Sequence, residues 1–527
     1  MMLLPAVSPE VFMLIMVVLV MMADLFLDKK IPGSPNQHKS GGRGTSYLLT
    51  QVTLIFTLIL WVMLWTHFEL VSLSSNISSN LSAGSFGHLA QHFKVTDFHG
   101  QFVSDRLSFI LNSAICVAGF LAFWYGRAYN ELNHVAEGEF YILGLLSLLG
   151  AMVLVSAASL LTLYLGLELL SLPLYAMIAM RRDSLHCIEA AMKYFVMGAL
   201  GSGFLLYGFS LIYGLTGQLE LNLIIQQFQL AHNGSSSISD LSSLRLIYSP
   251  VFIFAVMFIL AALAFKFGAV PFHGWVADVY HGSPTSVTTF LATVPKLAAI
   301  GLFFRIFSET LSDWHAQWGH VLMILGVLSL FLGNIIAIAQ TNLKRLLGYS
   351  AIAHIGFLFL ALSVGTLEGN RAALFYVLTY ALTTAAAFGL MLLMSRRGVE
   401  AENLEDFKGL NKNHSWMAFM MLLVFLSMAG IPPLVGFDAK LFVLKTLLNT
   451  GHIELVIYAL LMSVVAAFYY LKIIKAMYFE EPSLGLKFGK GFSMKNATGG
   501  LVSLNALAVL ALGILPNGLY LLCCGAF

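Results

Sequence analysis

Apolar residues in this chain fall into long blocks, one after another from end to end, separated by short polar connections. A helix needs about twenty apolar residues to cross a hydrocarbon layer of about 30 Å. Barrel strands alternate in polarity and run about ten residues, and no block here alternates in that way. The pattern predicts an all-α polytopic membrane protein of about fourteen transmembrane helices. They are expected near 7–27, 47–67, 107–126, 140–159, 161–180, 187–215, 250–279, 284–307, 319–340, 344–366, 371–395, 416–449, 453–479 and 499–522. The first block has no basic leading segment or small-residue cleavage site, so it is expected to stay as a helix. Longer connections rich in Ser, Gly and Asn are expected at 28–46, 68–106 and 216–249.

Two blocks interrupt themselves. The seventh contains "FKFGAVPFHGW" (265–275) and the twelfth "MAGIPPLVGFDAK" (428–440). Proline removes a helical donor and clashes with the preceding turn, so helices 7 and 12 are expected to be broken. Each carries a lysine, Lys266 or Lys440, and each stands fourth in a run of five blocks. The organisation expected is an N-terminal unit 1–127 (helices 1–3), a first five-helix repeat 139–309, a second 318–480, and a C-terminal helix 498–527. Five is odd, so the second repeat enters the membrane inverted relative to the first. Interrupted helices at matching positions of inverted repeats point to an ion site near the midplane.

Composition agrees with the pattern: 59% of the 527 residues are hydrophobic and 10% charged, against roughly 25% charged in a soluble protein. A net charge of +2 gives no basis for a nucleic-acid partner. Cys116, Cys187, Cys523 and Cys524 form no CxxC or CxxH pair, which leaves an iron–sulfur or zinc site without ligands. No GxGxxG follows a strand, and no P-loop or haem pattern is present, so no cofactor or metal is expected in this chain. Connection charge sets orientation. Lys29, Lys30, Lys39, Arg43, Arg181, Arg182, Lys344, Arg345, Arg396, Arg397, Lys408, Lys412, Lys475, Lys487, Lys490 and Lys495 fall on one side under strict alternation. Lys94, Arg106, Arg245 and Arg371 fall on the other. The positive-inside rule places the first set in the cytoplasm and both termini outside.

Ionisable residues inside the blocks are the candidate chemistry. A charge at the bilayer centre costs at least about 2.5–3.5 kcal/mol, and such residues mark ion pathways. Glu168 lies in the fifth block, Lys193 in the sixth, Lys266 in the seventh, Lys296 near the middle of the eighth and Lys440 after the break in the twelfth. Each has a plainer reading. Lys193 either belongs to a pathway or pairs with Glu189 one turn earlier and snorkels. Lys266 either relays protons or neutralises Glu168. Lys440 either relays or pairs with Asp438 or a freed backbone carbonyl. His273 and His354 stand evenly between satisfied interior histidines and proton carriers. Lys296 is too deep to snorkel. Desolvation disfavours an amine's charged form and a nearby carboxylate restores it, so a buried lysine with a movable partner is a switchable proton site. Sodium or calcium would want oxygen cages instead, and a row of lysines repels them. Thr, Ser and Tyr lining these blocks are expected to order water.

The stretches "GLELLSLPLYAM" (166–177), "EAAMKYFVMGALGSGFLLYG" (189–208), "AFKFGAVPFHGWVADVYHGSPTSVTTFLATVPK" (264–296), "NLKRLLGYSAIAHIG" (342–356) and "MAGIPPLVGFDAKLFVL" (428–444) carry a family resemblance. They resemble the subunit N family of bacterial respiratory NADH–quinone oxidoreductase (complex I), part of a wider group of antiporter-like membrane subunits. The resemblance covers about 100–480. Lys440, where subunit M usually has Glu, favours this family, as does the absence of the lateral C-terminal helix of subunit L. It implies a proton-translocating subunit in the bacterial inner membrane. Glu168 and Lys266 would then be partners, Lys296 the central relay, Lys440 the site toward exit and Lys193 the additional sixth-helix lysine. It also implies neighbouring membrane-arm subunits and, through them, a peripheral dehydrogenase arm holding NADH, FMN, iron–sulfur clusters and quinone. Two other readings remain open: an Mrp-type monovalent cation/proton antiporter, and a scaffold whose buried pairs serve assembly alone. The connections 28–46, 68–106 and 216–249 are long for this family.

Overall fold

A computed structural model describes residues 7–27, 41–79, 95–133, 135–232, 249–395, 400–482 and 497–527. The chain opens with α1 (Ser8–Leu27), α2 (Gly41–Ser79), a hairpin of β1 (Val95–Asp97) and β2 (Phe102–Ser104), and α3 (Arg106–Leu132). There follow α4 (Glu137–Ser156), α5 (Leu160–Ile178), α6 (Leu185–Thr216), α7 (Leu221–His232), α8 (Pro250–Phe267), α9 (Val276–Gly282) and α10 (Thr285–Phe303). After a π-helical turn at Phe304–Thr310 come α11 (His315–Ile338), α12 (Leu343–Ser363), α13 (Leu367–Met394) and the short α14 (Leu410–Asn413). The remainder is α15 (Ser415–Ala429), α16 (Val435–Asn449), α17 (Ile453–Phe479), α18 (Ala497–Ile514) and α19 (Asn517–Gly525).

Among the described residues, thirteen helices are long and apolar enough to cross a membrane, against about fourteen expected from block length. The difference is residues 416–449, where one span interrupted near its middle was expected. They form α15 and α16, each 15 residues long, and a 15-residue helix reaches only about 22 Å. The break follows from Gly430, whose φ of +85° is left-handed, and from Pro432 and Pro433 behind it. The same chemistry ends α8 at Gly268, with φ +76°. There the Phe265 carbonyl accepts from the Gly268 amide at 2.9 Å and also from the Trp275 indole at 3.1 Å, which ties the turn back onto the helix end.

The long polar connections hold structure that block length did not predict. α2 runs well past its apolar core, β1 and β2 pair antiparallel with Val95 opposite Ser104, and α7 occupies part of the third connection. Lys29, Lys30, Lys39, Lys94, Arg245, Arg396, Arg397, Lys487, Lys490 and Lys495 lie outside the described residues.

The centre is formed by α10, α12 and α13, which are almost wholly enclosed by other helices. The rim is the reverse of a soluble protein's. Leu25, Phe26, Val464, Phe468 and Leu504 are among many large apolar side chains turned outward from α1, α17 and α18. Such a continuous outer belt suits a hydrocarbon solvent, since a soluble monomer rarely exposes large apolar patches. The protein is an all-α polytopic membrane protein with a small extramembrane hairpin.

Candidate functional site

The three deep lysines are buried without a carboxylate in direct contact. Lys296, on α10, is 2% exposed, and its Nζ donates to the Tyr380 hydroxyl on α13 at 2.8 Å. It also lies 4.5 Å from the Tyr380 ring centroid, close enough for the ring face to favour the cation. Lys266, 8% exposed, donates to Ser171 Oγ on α5 at 2.8 Å. Glu168, one turn earlier on α5, is near enough to interact electrostatically with Lys266, yet no direct ion pair joins them. Lys440, 6% exposed, donates to the Ala429 carbonyl at 2.8 Å. That carbonyl is freed where α15 stops, so the backbone alternative for Lys440 is the one observed. Gly430 makes the approach possible, because a Cβ there would lie 2.8 Å from Lys440 Cδ.

The other candidates separate. His354, on α12, is bracketed by two tyrosines: Nδ1 is 2.7 Å from the Tyr376 hydroxyl and Nε2 is 3.2 Å from that of Tyr470. Tyr470 shares a further hydrogen bond with Ser350. His273 sits in the turn after α8, its Nδ1 buried without a hydrogen-bond partner. Lys193 is half-exposed and is held at 2.8 Å by both Glu189 and Asp278. The local pairing considered for it is therefore present, with a second carboxylate that sequence reasoning did not reach.

A small cavity is lined by His354 and by Tyr380, the partner of Lys296. Its lining also includes Tyr376, Thr383, Ser427 and Gly436. About 20 Å³ is open to the centre of a water molecule, above the roughly 10–15 Å³ that one water requires. Water there would find several hydroxyls and an imidazole to bond. Neither lysine lines this space itself: Lys296 touches its wall through Tyr380, and Ser427 and Gly436 on the wall flank the break before Lys440.

One charged cluster was missed from the sequence. Lys344, 1% exposed, donates to Glu400 Oε2 at 3.1 Å, Glu402 Oε1 at 2.8 Å and the Ser283 carbonyl at 3.0 Å. Arg181 meets Glu400 at 2.6 Å, Thr285 donates to Glu400 at 2.6 Å, and Tyr129 donates to the same carboxylate. Arg345 meets Asp278 at 2.8 Å. Lys344 stands at the start of an apolar run, a signal visible in sequence; nothing local announces partners so far along the chain. This cluster joins connections that charge alternation had placed on one side. On the opposite side Arg305 grips Asp105 through two nitrogens, at 2.6 and 2.9 Å. Among the described residues no group of three or more His, Cys, Asp or Glu could hold a metal ion.

Residues 157–466 match the family described as "NADH:quinone oxidoreductase/Mrp antiporter, TM". Over 520 residues the chain is 43% identical to "NADH-quinone oxidoreductase subunit N" of Thioalkalivibrio sulfidiphilus (strain HL-EbGR7), covering 99% of this chain and 97% of the relative. This chain belongs to the NADH–quinone oxidoreductase subunit N family. A chain in the structure titled "Respiratory complex I from Thermus thermophilus with bound Aureothin" is similar at 28% identity with a TM-score of 0.75, covering 98% of this chain and all of that one. A chain of the Mrp complex from Dietzia sp. DQ12-45-1b shares the fold at 20% identity and a TM-score of 0.74, covering 98% of this chain and 97% of that one. Membership in the subunit N family makes this a membrane-arm type of subunit, with redox chemistry belonging to other chains of such a complex.

Proposed function

We propose that this chain translocates protons within the membrane arm of an NADH–quinone oxidoreductase. Electron transfer from NADH through FMN and iron–sulfur clusters to quinone would take place in partner subunits. The buried series Glu168, Lys266, Lys296 and Lys440, linked by water, carries the protons. Lys193 adjusts the charge near the first half, and His354 bridges the second, with His273 beside the turn that follows α8. In this reading 139–309 and 318–480 are inverted five-helix repeats, each with a broken helix at its fourth position. Residues 1–127 and 498–527 flank them. The chain sits in the bacterial inner membrane with both termini on the periplasmic side.

The observation that carries the reading is Lys296. Its ammonium position has no acid partner and one neutral hydroxyl contact, and that hydroxyl belongs to a residue lining a small cavity that His354 also lines. A purely structural lysine would be expected to have a carboxylate, as Lys344 does. A sodium-exchanging role fits less well, because unpaired lysines repel a metal cation and, among the described residues, no group of three or more His, Cys, Asp or Glu could hold one. In inverted membrane vesicles containing the assembled complex, Lys266→Ala and Lys296→Met should each lose most of the protons moved per electron. Wild-type ratios in both variants would refute the assignment.

A further inference from the structure

A buried hydroxyl or carboxylate oxygen that closes no hydrogen bond costs about 1–3 kcal/mol, so such atoms mark ordered water in folded proteins. Four of them belong to residues near Lys266 or Lys296: Glu168 Oε1 and the Tyr175 hydroxyl on the helix that holds the Lys266 partner Ser171, and the Tyr280 hydroxyl and Thr384 Oγ1 near Lys296 and its partner Tyr380. Tyr175 stands one turn beyond Ser171, the residue that accepts from Lys266, and its hydroxyl feels the charge of Glu168. Only glycine at 198 leaves room for that hydroxyl against α6. The Tyr175 ring packs edge-on against Tyr194, with centroids 4.9 Å apart, and Tyr194 packs against Trp275, the residue before α9, at 4.7 Å. The Tyr280 hydroxyl faces that of Tyr380 without closing a hydrogen bond, and Lys296 Nζ lies 5.9 Å from the Tyr280 ring centroid.

We propose that Tyr280 is a proton relay between Lys266 and Lys296, its hydroxyl joining water beside Tyr175 to the Tyr380 hydroxyl that touches Lys296. The inference rests on the proton-translocating reading above and adds a residue to it. The step balances within itself. Water that takes a proton from the Lys266 ammonium gives one to the phenol oxygen as the phenol gives its own to the Tyr380 hydroxyl. That hydroxyl passes one to neutral Lys296, so the water and both tyrosines end neutral and the charge moves from Lys266 to Lys296. At Tyr280 one O–H bond forms and one breaks. The backbone carrying the relay is well anchored: Asp278, two residues earlier on α9, is fixed by Lys193 and Arg345 at 2.8 Å each. The ring is wholly buried, packed edge-on against Phe388 with centroids 6.0 Å apart. Removing only its oxygen therefore leaves the packing surface in place.

The test uses the whole complex in inverted membrane vesicles, comparing Tyr280→Phe, Thr384→Val and Lys296→Met with wild type. Expected for Tyr280→Phe are normal assembly, a loss in protons moved per electron, and a larger solvent deuterium isotope effect on translocation. A tyrosine that served only packing would change neither the ratio nor the isotope effect. Thr384→Val removes another of the unpaired hydroxyls while keeping side-chain shape, and it decides the matter by the same two measurements if Tyr280→Phe fails to assemble. Wild-type ratio and isotope effect in the assembled Tyr280→Phe complex would overturn the relay. A wild-type ratio in Lys296→Met would instead overturn the parent reading, so the two failures are distinguishable.

Discussion

Lys440 illustrates how one residue depends on the backbone around it. Its ammonium group is held by the Ala429 carbonyl, an acceptor that exists only because α15 ends there. Arginine can still reach a carbonyl and keeps the charge, although its planar fork suits this single acceptor poorly. Lys440→Arg is therefore expected to retain part of the proton translocation that Lys440→Ala loses, measured as protons per electron in vesicles. Equal ratios in the two variants would argue against a charge requirement at this position. Its depth was readable from the apolar neighbours in the sequence. Its partner was one of two possibilities there, Asp438 or a backbone carbonyl, because which acceptor is freed depends on where the helix stops.

At the scale of elements, the ends of helices do most of the polar work. Asp105 caps α3 through the Ser108 amide at 2.8 Å and also clamps Arg305 beside the π-helical turn after α10. Burial alone would raise the Asp105 carboxyl, but the Arg305 guanidinium and the Ser108 bonds outweigh it and hold the group below the usual carboxylate range. Asp105→Ala removes a cap, costing about 0.5–2 kcal/mol. It also leaves Arg305 with Glu309 as its remaining carboxylate partner, and breaking a buried pair costs roughly 3–5 kcal/mol. The combined effect should appear as a lower melting temperature of the detergent-extracted complex, larger than that of Glu309→Ala. If the two variants melt together, the clamp contributes little.

For the whole molecule, the cluster around Lys344 joins α12 to the connection before α14 and to the start of α10. Burial pushes the Glu402 carboxyl upward, yet the His281 contact and the Lys344 ammonium prevail and keep it well below the usual carboxylate range. A carboxyl lowered in the folded state stabilises the fold above its unfolded value, about 4.3, and loses that contribution as pH falls through the folded value. The melting difference between wild type and Glu402→Gln should therefore be full at neutral pH, begin to shrink as pH falls below about 4.3, and disappear only in stronger acid. A difference that already vanishes near neutral pH would contradict the pairing. Lys344→Met, which takes the shared ammonium from two carboxylates at once, should be the more damaging change at neutral pH.

The sequence by itself determined the solvent, the membrane character, most of the spans and the depth of the ionisable residues. Block length is a one-dimensional property matched directly to bilayer thickness, and a lysine's distance from the block ends needs no folding to read. Glycine and proline likewise act locally, which is why α8 and α15 stop at Gly268 and Gly430. Tertiary structure decided the partners. Tyr380 stands 84 residues from Lys296, Ser171 95 residues from Lys266, and Glu400 219 residues from Arg181. In spans apolar on nearly every face, no amphipathic stripe says which side turns inward. Which hydroxyl meets which lysine is consequently set by helix packing, where close approach and hydrogen-bond satisfaction are settled together.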